Sequence, residues 1–241
     1  MPSIRAARRS LPFDPGFALR HPLLWPLARA ASAFAGANDW PAVASWNALF
    51  AGATSPPPIR FTVAAPRPRR GGRRPPFDRS TSYDASIVER GVVPSRERHW
   101  HDFLNALVWA TFPRAKAALH RRQGALLDAR LDPAAPRPPA HRTREQDGLA
   151  MIDEGGVIAL AAPAAELRLV FGHALYEGFV LGVPRMTARM VRLPVAALED
   201  DAIGQADAAL AAWLADGARS TLPELLPRAF VPDVADAGWC R

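Results

Sequence analysis

The chain has a single cysteine, Cys240, next to its last residue, so no disulfide framework can form within it. A reducing compartment, the cytoplasm, is the expected location. Long apolar runs are missing too: a membrane span needs ~20 consecutive apolar residues, and the longest uncharged segment, Trp40 to Ile59, is broken by Asn47 and the triplet Pro56, Pro57 and Pro58. Near the N-terminus, Asp14, Pro15, Arg20, His21, Pro26 and Arg29 interrupt every candidate leader, which argues against a secretory signal. There is no G-x-S-x-G elbow to present a nucleophilic serine, and no glycine-rich phosphate cradle. Lysine is nearly absent. Lys116 is the sole example in a chain that uses arginine everywhere else, and a lysine kept against that bias suggests a need for a compact ammonium.

What remains is the composition of a globular protein, with 49% hydrophobic and 22% charged residues, and 241 residues suit one domain with a substantial core. The 25 prolines crowd into particular stretches. Residues 1–144 hold 23 basic against 9 acidic side chains, and residues 145–241 hold 7 against 14, within a net charge of +7. Such a dipolar chain hints at an acidic partner for its first part. The accompanying excess of Arg, Ala, Pro and Gly, which GC-rich coding produces whatever the function, weakens that hint.

The patterning predicts a mostly helical α+β fold with a central buried helix and a small β-hairpin or sheet. A helix is expected over Trp40–Ala51 with Asn38 or Asp39 as cap, then a strand over Ile59–Val63 and a short helix over Tyr83–Arg90 ended by Gly91. The central helix is expected over Glu97–Thr111 with Ser95 as cap, and after Phe112-Pro113 a second over Arg114–Arg122. Leu149–Leu160 reads as a hairpin turning at Asp153–Gly156, Glu166–Leu181 as a helix closed by Gly182, Arg185–Pro194 as a strand and Asp201–Ala215 as an amphipathic helix. Two stretches resist regular structure: residues 65–77, an Arg/Pro-rich loop expected to be mobile, and residues 132–141, a stiff Pro-rich linker.

Polar residues interrupt the apolar helices in a pattern. At 100° per residue, Arg98, His101, Asp102 and Asn105 fall on one stripe of a helix whose other positions include Trp100, Phe103, Leu104 and Leu107. His173 and Glu177, four apart, stack on one face of another helix, an arrangement suited to a divalent metal or an acid–base couple and equally to a plain hydrogen bond. Lys116 and His120 share a face. Asp153 and Glu154 are most simply turn residues of the expected hairpin. Two unpaired polar stripes buried separately would cost several kcal/mol that facing each other avoids, so His101 and Asp102 are expected to share a pocket with His173 and Glu177.

These residues also carry a family resemblance. Asp39-Trp-Pro, Asn47-Ala-Leu, Gly91-Val-Val-Pro-Ser-Arg, the block from Trp100 to Trp109 (WHDFLNALVW), Lys116-Ala-Ala-Leu, Asp153-Glu-Gly-Gly-Val and Phe171-Gly-His-Ala-Leu-Tyr-Glu177 resemble a bacterial family catalogued as domain of unknown function 3025. The likeness covers about residues 20–180, and it implies that His101, Asp102, Asn105, Lys116, Asp153, Glu154, His173 and Glu177 occupy that family's motif positions. It implies no reaction, cofactor or partner. The chain departs from the pattern in its basic insertion at 65–77 and in the region after Pro194.

Three functions compete on this reading. The first is a hydrolase-like or metal-dependent enzyme with His101, Asp102, Asn105, Lys116, His173 and Glu177 as candidate site residues, its metal and cofactor left unspecified by the sequence. His101-Asp102 adjacency is similar to the HD class of phosphohydrolases, but that chemistry also needs an upstream histidine, and His21 and His99 lie at unsuitable spacings. The second is a nucleic-acid-associated protein gripping phosphates through Arg67, Arg69, Arg70, Arg73 and Arg74, with no base-reading element beside them. The third is a non-enzymatic interaction protein whose polar stripe is structural.

Overall fold

The structure, a computed structural model, describes residues 11–51, 59–65, 82–131, 141–216 and 229–231. The fold is mostly helical α+β. Its helices are α1 (Ala28–Ser32), α2 (Tyr83–Arg90), α3 (Trp100–Thr111), α4 (Pro113–Asp128), α5 (Arg144–Gly155), α6 (His173–Val180) and α7 (Ala202–Ala215). Strands β1 (Arg60–Val63) and β2 (Val92–Ser95) form a parallel pair. Strands β3 (Gly156–Ala161), β4 (Glu166–Val170), β5 (Met186–Pro194) and β6 (Ala229–Val231) form a sheet in the order β4-β3-β5-β6, with β3 antiparallel to β4 and parallel to β5. Among the described residues, no helix is long and apolar enough to cross a membrane.

Helix α3 is the centre. Trp100, Phe103, Leu104, Ala106, Leu107 and Val108 are all 0% exposed, because the helix has packing partners around nearly its whole circumference. On one side the segment 11–50 wraps it in short helical turns, and Phe13, Phe17, Phe34, Trp40 and Trp46 set their rings within 6.4 Å of the Phe103 ring. On the other side lie α4 and α6. The expected Trp40–Ala51 helix is instead a 3-10 helix over Val43–Phe50. Its proposed cap is occupied elsewhere, since Asp39 pairs with the Arg98 guanidinium at 2.9 and 3.0 Å. Asn47 then mimics a strand against β1, accepting from the Phe61 amide at 2.8 Å and donating to its carbonyl at 3.2 Å.

The central helix starts later than its sequence suggests. Ser95 does not cap it. That residue ends β2, and its hydroxyl donates to the Val93 carbonyl, so the helix begins at Trp100 and Arg98 stands before it with φ of 53°. The α4 start shows how a missing cap is replaced across the fold. Phe112 has no side chain that can accept from the first amides, and the Asp207 carboxylate of α7 accepts from Arg114 N at 3.2 Å and Ala115 N at 2.8 Å.

Burial pushes Asp207 up to about 6, outweighing those two amides. A carboxyl whose folded value lies above its unfolded one adds stability below the unfolded value, near 4, and loses it as pH rises through about 6. Thermal unfolding of wild type and Asp207→Asn between pH 4 and 7 is therefore expected to show a slope in the wild type that the variant lacks. Asp207→Ala should cost about 1 kcal/mol or more near pH 4 as a lost cap, and less as the pH rises through about 6.

Two expected elements are differently built, and both changes bear on the site. Leu149–Leu160 is not a hairpin. Thr143 and Gln146 form a capping box that starts α5, Leu149 and Ile152 are its buried face three residues apart, and the strand begins only at Gly156. Glu166–Leu181 is not one helix. Leu167 and Leu169 point inward while Glu166 and Arg168 pair outside, a period of two that makes β4; Gly172 then caps α6. The strand over 185–194 and the helix over 201–215 agree with β5 and α7 to within a residue, and α2 ends at Gly91 in the left-handed conformation, as expected.

Candidate functional site

The β3–β4 pairing decides where the chemistry collects. Helix α5 runs directly into β3 at Gly156, and β4 runs through Phe171 and Gly172 into α6. Since Val157 pairs with Val170, the last turn of α5 and the first turn of α6 are held side by side at one end of the strand pair. Phe171 N and Gly172 N both donate to the Gly156 carbonyl at 2.9 Å. The approach is so close that a Cβ at Gly172 would lie 2.5 Å from the Glu154 carbonyl oxygen, so only glycine fits. Asp153 and Glu154 thereby meet His173, and α3, packed on α6, brings His101 over them.

Three groups converge there. His101 Nε2 lies 3.0 Å from His173 Nε2, and Glu154 Oε2 lies 3.9 Å from the first and 3.6 Å from the second. A point equidistant from these three atoms is about 2 Å from each, the ~2.0–2.2 Å that imidazole nitrogen and carboxylate oxygen keep from zinc. Behind His101, the Glu177 carboxylate accepts from Nδ1 at 3.1 Å, which turns Nε2 toward the triangle. His173 is 4% exposed, and its Nδ1 sits 3.9 Å from Asp153 Oδ1. Glu154, at 51%, forms the open side.

The electrostatics favour a cation at this point. Burial pushes His173 down to about 3, with Lys116 and His101 adding to the effect against Asp153, so its ring is neutral at pH 7. For His101, burial is outweighed by the Glu177 hydrogen bond and by the charge of Glu154, and its value is raised. Burial and the charges of Asp153 and Glu177 raise Glu154, although His101 and Lys116 pull it down. Beside the triangle, the carboxylates of Asp153, Glu154 and Glu177 outnumber the one fixed cation among them, Lys116.

The remaining sequence-derived residues are placed one by one. Asp102 is turned away from the histidine pair and accepts from Arg96 N at 2.6 Å and from its guanidinium at 2.9 and 2.7 Å, pinning the loop before α3. That removes it from the site and with it the His-Asp adjacency on which HD chemistry rests. Lys116 and Asn105 form an inner layer: Lys116 Nζ donates to Asn105 Oδ1 at 2.8 Å and to Asp153 Oδ1, and Asn105 Nδ2 reaches the Tyr83 hydroxyl at 3.2 Å. His120 lies beyond, bonded through Nδ1 to Asp84 at 2.9 Å and stacked on Trp109. Arg67, Arg69, Arg70, Arg73 and Arg74 fall outside the described residues, as do residues 66–77 of the basic loop and 132–140 of the linker.

Glu154 and Asp153 were the residues sequence reasoning misplaced. The Thr143-x-x-Gln146 capping box was the available signal, for a helix begun there carries both carboxylates into its final turn rather than into a solvent-exposed hairpin.

Residues 74–169 match the family described as Protein of unknown function (DUF3025). The matched stretch carries His101, Asn105, Lys116, Asp153 and Glu154, while His173 and Glu177 follow just after it. This agrees with the resemblance read from the motifs over that part of the chain. No curated protein and no solved structure matches the chain.

Proposed function

We propose that this protein is a metal-dependent hydrolase whose single divalent ion is held by His101 Nε2, Glu154 Oε2 and His173 Nε2. The observation that carries the reading is the triangle itself: three donors of the types zinc takes, around a point at its bonding distance, with a carboxylate behind one imidazole. Three protein ligands with an open side are the pattern of catalytic rather than structural sites. Glu154, half exposed, marks where water and substrate enter.

An ion so placed lowers the pKa of bound water toward 7 and polarises a carbonyl or phosphoryl oxygen. Hydrolysis would then form a bond from the water oxygen to the carbonyl carbon or the phosphorus, break the bond to the leaving group, and pass the water's proton to the departing atom. The chain's own part is to present lone pairs: Glu177 fixes the His101 ring, and Asp153 lies against the His173 ring.

The test is metal titration of chelator-stripped protein followed by a panel of carboxylic and phosphoric esters. One equivalent of zinc or cobalt is expected to bind, more weakly at pH 5 than at pH 8 because the His101 imidazole, whose value is raised, must shed its proton to ligate. Ester hydrolysis should vanish with chelator and return with metal. Absence of stoichiometric binding, or hydrolysis indifferent to chelator, would overturn the proposal.

A further inference from the structure

His21 takes no part in the triangle, yet it is built into the fold at a junction. It precedes the 3-10 helix Pro22–Leu27 and caps it: the Leu23 amide donates to His21 Nδ1 at 3.2 Å, and the Leu24 amide donates to the His21 carbonyl at 3.0 Å. Pro22 has no N–H, so Leu23 N is the first amide of the turn that needs an acceptor. Leu23, Leu24 and Leu27 are buried, and through them this turn fastens part of the segment 11–50 to the core. The His21 ring lies flat on Phe179 of α6, with centroids 4.3 Å apart and planes 9° from parallel. One side chain thus joins the wrapping segment to the helix that carries His173 and Glu177.

The cap fixes where the ring's proton sits. A backbone N–H only donates, so Nδ1 presents a lone pair to Leu23 and the neutral ring carries its proton on Nε2. A second proton can then go only to Nδ1, the atom that accepts from Leu23. Protonation therefore breaks the cap: two N–H groups would face each other across 3.2 Å, and the ring must turn from the Leu23 amide, leaving a donor of a buried residue unsatisfied.

Burial acts in the same direction and lowers the value of His21. The charged side chains of the elements packed around the turn are engaged elsewhere: Arg20 pairs with Asp14, Glu166 of β4 with Arg168 and Arg192, Glu177 of α6 with His101, and Asp102 of α3 with Arg96, while α1 brings Arg29 and α6 also brings His173. None of these charges contributes at His21, where burial alone sets the direction.

We infer that His21 is an acid-sensitive clasp: its neutral ring caps the turn Pro22–Leu27 where the wrapping segment meets α6, and a proton on Nδ1 opens that cap. A histidine whose folded value lies below its unfolded one adds stability that is complete above about 6.5 and is lost as the pH falls below it. The inference does not depend on the metal reading.

The experiment uses metal-free full-length protein. Imidazole 15N shifts of the wild type at pH 7.5 should show His21 as the Nε2–H tautomer, and on titration the ring should protonate below 6.5 with the Leu23 amide resonance moving at the same midpoint. His21→Asn supplies a cap that accepts without titrating. Between pH 7.5 and 5.5 the melting temperature of the wild type should fall by about 2–4 °C relative to this variant, the shift that loss of one cap brings in a chain of this size. Asp207 and His101, which also titrate in this range, are common to both proteins and cancel in the difference. A wild-type His21 with its neutral proton on Nδ1, or one that protonates without moving the Leu23 amide, would overturn the inference, as would parallel pH dependence of the two proteins. Should the variant fail to fold, the wild-type titration alone decides.

Discussion

Alanine at His173 is expected to weaken zinc binding by more than about 100-fold, beyond the ~10–100-fold that loss of an outer-shell partner brings. The side chain supplies one of only three ligand atoms, and among the described residues no other His, Cys, Asp or Glu group completes the triangle. The substitution is suited to the question because the ring, pushed down to about 3, is neutral at pH 7, so its removal leaves no buried charge unpaired. Glu177→Gln should lie between: the amide oxygen still accepts from His101 Nδ1, and the loss should stay within the outer-partner range. Titration calorimetry on the three proteins reads this order. Equal affinity for wild type and His173→Ala would contradict the ligand assignment.

The second large effect is on stability. Phe103→Ala should cost about 3–5 kcal/mol, the range for deleting a buried aromatic from a core that cannot collapse around the gap. Phe103 is fully buried and sits edge-on to Phe17, Phe34 and Trp46 while α4 and α6 close the other side of its helix. Chemical denaturation gives the value. A loss under about 1 kcal/mol would mean that the wrapping segment 11–50 repacks freely and that α3 is not the centre of the fold. The same segment pins the loop before α3 through Asp39 and Arg98, so loss of packing here should also loosen the approach to His101.

How legible the fold was depended on whether a segment's signal was local. Helix α2, bounded by Ser82 and Gly91, and α7, with its Asp201 cap, carry their own punctuation, and their limits follow from sequence. Helix α3 was recognisable from its apolar circumference, but periodicity does not show what sets its start: Asp102 returns to Arg96, six residues before it, and Arg98 is held by Asp39, far away in the chain. The Glu166–Leu181 stretch misled because Leu167, Leu169, Val170 and Phe171 satisfy a helical face and a strand about equally over so short a run. Only pairing with β3, which is buried throughout, selects the strand.

The site was legible in part for the same reason. His101, His173 and Glu177 stood out because each is a polar residue among apolar neighbours on a helix. Glu154 did not, since a hairpin turn explained it cheaply, and its role became visible only once α5 was followed from its capping box to Gly155. Lys116 was conspicuous by composition alone; its partner Asp153 was not, because their contact spans 37 residues and two helices. The pairing of β3 with β4 turns those separate residues into neighbours, and it does so through a glycine, Gly172, at which no larger residue fits.

The central claim is that His101, Glu154 and His173 hold one divalent ion, and anomalous scattering at the zinc edge from crystals grown with zinc tests it most directly. The account predicts a single strong peak within about 2.2 Å of His101 Nε2, His173 Nε2 and a Glu154 oxygen. A fully soaked crystal with no peak in that triangle, or with its strongest peak on other residues, would contradict it.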